Sequence, residues 1–102
     1  APEDGEIRVT APEELVSFIR QYAPDIKLAY GRRGNTSRKK KRLAEEMLKE
    51  SPDFRKIARI SRKLDCNFLI YPADEWQDEN IQALDYERVG NVNTYIVYRD
   101  VR

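Results

Sequence analysis

Apolar positions along the chain change period several times, and each change marks a candidate element. Glu6-Ile7-Arg8-Val9-Thr10 alternates polar and apolar residues, the period of a short strand. Thr10-Ala11-Pro12-Glu13-Glu14 then supplies a cap, an early proline and two acids, which predicts a helix start. Leu15, Phe18, Ile19 and Tyr22 continue at helical spacing until Pro24. Ile26-Lys27-Leu28-Ala29-Tyr30 returns to alternation, and Gly31 ends it.

Asn35, Thr36 and Ser37 are each able to cap a following helix whose apolar stripe is Leu43, Ala44, Met47 and Leu48. Ser51-Pro52-Asp53 breaks that helix and starts another, with Ser51 as cap and Pro52 in the first position. Phe54, Ile57, Ala58, Ser61 and Leu64 form its inner stripe, widened by Ile60, while Arg55, Arg59 and Arg62 fall on another face. Cys66 to Tyr71 is a nearly unbroken apolar run closed by Pro72, as expected of a strand buried on both faces. Within the acidic stretch 73–88, residues 78–84 suit a short helix. Val89-Gly90-Asn91-Val92 predicts a hairpin turn, and Thr94 to Arg99 is the strongest strand by propensity. The order β-α-β-α-α-β-(α)-β-β predicts an α/β fold: one domain spanning 1–102, a mixed sheet with helices packed on it, parallel neighbours from the crossovers and a closing antiparallel hairpin.

Composition narrows the chemistry. The 102 residues include no histidine and one cysteine, Cys66, which excludes His-based nucleophilic catalysis, most zinc sites and an internal disulfide. That cysteine usage suits a reducing compartment, cytoplasmic or nuclear. No apolar run approaches the roughly 20 residues that cross a bilayer, so a membrane is not an expected partner. The chain begins at Ala1 rather than Met, as in a processed protein or a piece excised from a longer one.

Net charge is only +1, but residues 31–64 carry 13 basic and four acidic side chains between two acidic flanks. The densest stretch, AYGRRGNTSRKKKR, places seven cations in fourteen residues with no acid. Gly31 and Gly34 lie in the predicted strand-to-helix turn, where absent Cβ atoms permit a phosphate to approach the backbone. Arg32, Arg33, Arg38, Lys39, Lys40, Lys41 and Arg42 surround that point. Cations at a helix N-terminus oppose its dipole, a local cost without a structural return. Neither the Walker spacing nor Gly-x-Gly-x-x-Gly is present, so a polynucleotide fits better than a mononucleotide. Tyr30, just before the turn, is a candidate stacking residue, and Arg55, Arg59 and Arg62 are candidates for the same ligand.

Ile26-Lys27-Leu28-Ala29-Tyr30-Gly31-Arg32-Arg33-Gly34 and Thr94-Tyr95-Ile96-Val97-Tyr98-Arg99 resemble segments of GxxG-turn nucleic-acid-binding modules. The nearest are the CRM-type RNA-binding domains; the C-terminal domain of bacterial translation initiation factor 3 and the Alba proteins are also similar. The resemblance covers about half the chain and implies nucleic-acid binding through the Gly31–Gly34 turn.

Nucleic-acid binding, RNA before DNA, is therefore the expected function, with no cofactor and no metal. Two alternatives belong to other classes. A histidine-free ribonuclease of the toxin kind needs Arg99, Tyr95, Tyr98 and Lys27 to converge. A protein-interaction domain would use the basic centre, and the acidic segment from Asp74 to Glu87 with Trp76 as anchor. Carboxylates in that segment were also weighed as Mg²⁺ ligands, although no spacing among them is diagnostic.

Overall fold

The computed structural model describes residues 6–23, 25–29 and 38–102. Along them run β1 (Arg8–Thr10), α1 (Glu13–Tyr22), β2 (Lys27–Leu28), α2 (Arg38–Met47), α3 (Phe54–Lys63), β3 (Phe68–Tyr71), α4 (Glu75–Gln82), β4 (Tyr86–Val92) and β5 (Tyr95–Asp100). The strands form one mixed sheet in the order β2-β1-β3-β5-β4. β1 pairs in parallel with both β2 and β3, while β5 runs antiparallel between β3 and β4. This is the α/β architecture that alternating hydrophobic periods predict.

The β1-α1-β2 and β2-α2-α3-β3 crossovers run in opposite directions across the sheet, so right-handed connection puts their helices on opposite faces. On one face, Leu15 and Ile19 of α1 pack with Val9, Phe68 and Ile70. On the other, Leu43 and Met47 of α2, Phe54 and Ile57 of α3 and Ile81 of α4 pack against Leu69, Tyr71, Ile96 and Tyr98. β3 thus sends alternate side chains into both cores, as its apolar run requires. Leu43, Ile57 and Ile81 are fully buried, and burial of such a side chain is worth about 1.5–3 kcal/mol.

Two polar contacts fix how the layers meet. The Thr10 and Ser61 hydroxyls, both buried, lie 2.8 Å apart and join β1 to α3. Glu46, near the end of α2, is also buried. One of its carboxylate oxygens accepts the Asp53 backbone N–H at 2.9 Å, and the other faces the ammonium groups of Lys49 at 3.0 Å and Lys56 at 3.6 Å. That carboxylate therefore ties the end of α2 to the start of α3. The Asp53 hydrogen bond first, and then the two lysines, hold its pKa below the ordinary value against the opposing effect of burial.

Several boundaries differ from the predicted ones for identifiable reasons. Thr10 belongs to β1 and spends its hydroxyl on Ser61, so Pro12 precedes α1 without a side-chain cap. Asp53, not Ser51, caps α3, accepting from the N–H groups of Arg55 and Lys56. α4 starts at Glu75, earlier than predicted, because Asp74 and Gln77 form a reciprocal capping box. The hairpin turn is Asn93-Thr94, with Asn93 at a φ of 55°, while Gly90 lies within β4 beside a one-residue bulge. Phe18 and Tyr22 are exposed and pack on each other with ring centroids 4.7 Å apart; Val16 and Ile19 supply the buried side of α1. Leu48 falls beyond α2 and is exposed. Pro24 and the capping candidates Asn35, Thr36 and Ser37 lie outside the described residues.

Two stability measurements follow. Thr10→Val should cost about 2 kcal/mol in urea unfolding by stranding the Ser61 hydroxyl, and adding Ser61→Ala should recover part of the loss. Glu46→Ala should cost about 2–3 kcal/mol by orphaning the Asp53 N–H. Because the Glu46 pKa is depressed, its contribution is complete above the ordinary value of 4.5 and fades as pH falls through the folded-state pKa. Acid titration of stability should therefore be shallower in Glu46→Gln than in the parent.

Candidate nucleic-acid interface

The fold uses some of its cations and leaves others without a partner. Lys27 pairs with Glu6, Lys49 and Lys56 with Glu46, Arg88 with Asp78, Arg99 with Glu87 and Arg102 with Asp85. No described carboxylate pairs with Arg38, Lys39, Lys41 or Arg42, all exposed on the first two turns of α2. The first turn of α2 contains no acidic residue, so its positive dipole end and its cations reinforce one another. Lys40 alone in this run is half-buried.

The helical hairpin decides what stands beside this end. α2 and α3 pack together across the short connection 48–53, which makes them antiparallel neighbours. The first turn of α2 accordingly lies near the last turn of α3. Cys66 gives a second bearing: its backbone N–H donates to the Ser61 carbonyl at 2.9 Å, directly after α3. Burial pushes the Cys66 thiol up, and the Lys40 charge is among those acting against that rise, so Lys40 also sits at this end.

Arg55, Arg59 and Lys63 are exposed at successive four-residue intervals on α3, again without a described carboxylate partner. Such positions share one helix face about 6 Å apart. The exposed cations of α2 and this row on α3 thus stand on two adjacent helices, with Lys63 at the end where α2 begins. Lys63 was missed in the sequence, although it continues the Arg55–Arg59 interval.

Arg62 is drawn away from that row. Its Nε and one terminal nitrogen donate to the two carboxylate oxygens of Asp100 at 3.1 Å each, and the same terminal nitrogen donates to the Leu84 carbonyl at 2.6 Å. The guanidinium also stands 4.8 Å from the centre of the Tyr86 ring. Burial is the largest single influence and works against its charge, but Asp100, Tyr86 and Asp85 together leave the Arg62 pKa raised. Burial pushes the Tyr86 hydroxyl up to about 12. Arg62 thus clamps α3 to the α4–β4 connection and to the end of β5. Of the remaining sequence candidates, Tyr30, Gly31, Arg32, Arg33 and Gly34 lie outside the described residues.

The ribonuclease constellation does not assemble. Tyr98 points into the α2–α3–α4 core, where its hydroxyl donates to Asp78 at 2.6 Å. Tyr95 and Arg99, three residues before it and one residue after it on β5, fall on the opposite face of the sheet. Lys27 lies on β2, with β1 and β3 between it and β5. Among the described residues, no group of three or more Asp, Glu or Cys side chains is placed to hold a metal ion, and no described helix is long and apolar enough to cross a membrane.

In the acidic segment, Asp74 caps α4, Asp78 receives Tyr98, and Trp76 is exposed beside a cleft between α3 and α4. No protein family model, curated protein or solved structure matches the chain.

Substitutions at the two neighbouring arginines should separate clamp from surface. Arg62→Met should lower stability by about 2 kcal/mol in denaturant. Arg59→Ala should leave stability nearly unchanged in the same measurement.

Proposed function

We propose that the protein binds nucleic acid, RNA in preference to DNA, by presenting the cations of α2 and α3 to phosphates. The observation that carries this reading is the set of exposed, unpaired cations Arg38, Lys39, Lys41 and Arg42 at the N-terminus of α2. Basic residues there oppose the helix dipole and repel one another. The same fold pairs most of its other cations with carboxylates, so these four stand out as reserved for an external anion. Two charge sources, side chains and the positive end of the helix dipole, converge on one end. The resemblance of Gly31-Arg32-Arg33-Gly34 and its preceding strand to RNA-binding modules supports RNA over DNA and extends the contact into the adjoining turn.

Phosphate contact has a signature in salt. With about four phosphates neutralised, log affinity for a single-stranded RNA should fall against log salt with a slope near −3, from roughly −0.7 per contact. Lys39→Glu/Lys41→Glu should weaken binding by more than about tenfold and flatten that slope. The same pair should leave stability unchanged or raise it by about 0.5 kcal/mol, because acids at a helix N-terminus complement the dipole. Affinity that is indifferent to both salt and charge reversal would overturn the reading. A parallel series with DNA of the same sequence tests the RNA preference.

A further inference from the structure

The cleft between α3 and α4 lies at the far end of the Arg55–Arg59–Lys63 row from the basic end of α2. It has a volume of about 270 Å³ and is lined by Pro52, Phe54, Arg55, Trp76, Asn80 and Leu84, among others. That is just below the usual range for a drug-sized ligand, and room for a planar ring with its sugar rather than for a docked helix.

Trp76 is 70% exposed, a large apolar side chain left in water on a capped and well-anchored helix. It and Asn80 are one turn apart on α4, and the Asn80 Nδ2 donates to the Trp76 carbonyl at 2.8 Å. That bond uses one amide hydrogen of a side chain that lines the cleft. Arg55, on the opposite wall, has no described carboxylate partner, and the Asp53 carboxylate in the same lining is engaged by the backbone N–H groups of Arg55 and Lys56. The cleft therefore offers an aromatic side chain, an amide and a cation, which together match one nucleotide: a base to stack, a base edge to hydrogen-bond and a phosphate to neutralise.

We infer that this cleft is a nucleotide subsite, in which an unpaired base stacks on Trp76, presents an exocyclic amine to Asn80 and sets its phosphate against Arg55. The subsite rests on the nucleic-acid reading and specifies its substrate class: single-stranded RNA laid along α3, with phosphates near Lys63 and Arg59 and a base in the cleft. Strand length agrees, since the row from Lys63 to Arg55 covers eight residues of helix, about 12 Å. Acids on the outer side of α4, Glu75 and Glu79, confine the backbone to the α3 side. Adenine, cytosine and guanine present an exocyclic amine, whereas uracil has only its ring N3–H to offer Asn80, so oligo(A) and oligo(C) are expected to bind more tightly than oligo(U).

Trp76 is the chain's single tryptophan, so its emission reports this cleft alone. Labelled twelve-residue oligo(A), oligo(C) and oligo(U) RNAs are titrated into the full chain, with anisotropy and tryptophan emission read together. Oligo(A) and oligo(C) should quench the emission saturably, with the same midpoint as the anisotropy, and oligo(U) should bind more weakly. Trp76→Ala should weaken oligo(A) binding about tenfold with stability unchanged, and Arg55→Glu should weaken it comparably.

Full binding by anisotropy, with unmoved emission and parental affinity in Trp76→Ala, overturns the subsite while the basic-surface reading stands; Trp76 is then left as an anchor for a protein partner. No response in either signal overturns both. Equal affinity for oligo(U) and oligo(A) overturns the role given to Asn80.

Discussion

One buried carboxylate holds the two basic helices in their relative places. Glu46 closes α2 onto α3 by accepting the Asp53 N–H and by balancing Lys49 and Lys56. Packing of Leu43, Met47, Phe54 and Ile57 supplies the attraction between the helices and the sheet. The carboxylate supplies direction, because an apolar interface alone tolerates sliding and a hydrogen-bonded charge does not. The antiparallel hairpin fixed in this way places the first turn of α2 beside the last turn of α3, and the basic surface exists only because of that placement.

The cations divide by what they touch. Those near the sheet and the helix junctions are paired; Arg62 is the extreme case, with its guanidinium shared between Asp100, a backbone carbonyl and the Tyr86 ring. Those on the outer faces of α2 and α3 have no described carboxylate partner, and the ones in the first turn of α2 stand where dipole and mutual repulsion both oppose them. A chain of net charge +1 has enough carboxylates to pair nearly all its cations, so this segregation is a property of arrangement rather than of composition. Stability and binding make opposite demands at the start of α2, as they do wherever a site keeps charge in reserve for a ligand.

Much of the fold was legible because hydrophobic period is a local property. The apolar run from Cys66 to Tyr71 and the stripe from Phe54 to Ile60 each required one kind of element and one kind of environment. What was misread depended on competition between neighbours. Thr10 had two possible uses for its hydroxyl, and a partner 51 residues away, Ser61, decided between them. Gly90-Asn91 has the composition of a turn, but the pairing of β4 with β5 continues past it to Asn93, and the glycine serves a bulge instead. The start of α4 was readable, since Asp74-x-x-Gln77 is a capping-box spacing, but the acidity of the segment concealed it. At the candidate interface the run 38–42 announced itself by density. Arg62 and Arg59 are indistinguishable in sequence, and only the position of Asp100, brought back by β5, separates clamp from surface. The cleft beside Trp76 brings together residues from two helices separated in the chain by β3, and nothing local marks it.

Mapping any RNA contact residue by residue tests the proposed interface most directly. Amide and guanidinium resonances of ¹⁵N-labelled protein, followed during titration with single-stranded RNA, report every cation at once. The account predicts shifts at Arg38 to Arg42 and at Arg55, Arg59 and Lys63, with Arg62, Arg88, Arg99 and Arg102 at rest. Shifts concentrated on Arg88 and Arg99, or a spectrum unmoved by RNA in excess, would contradict it.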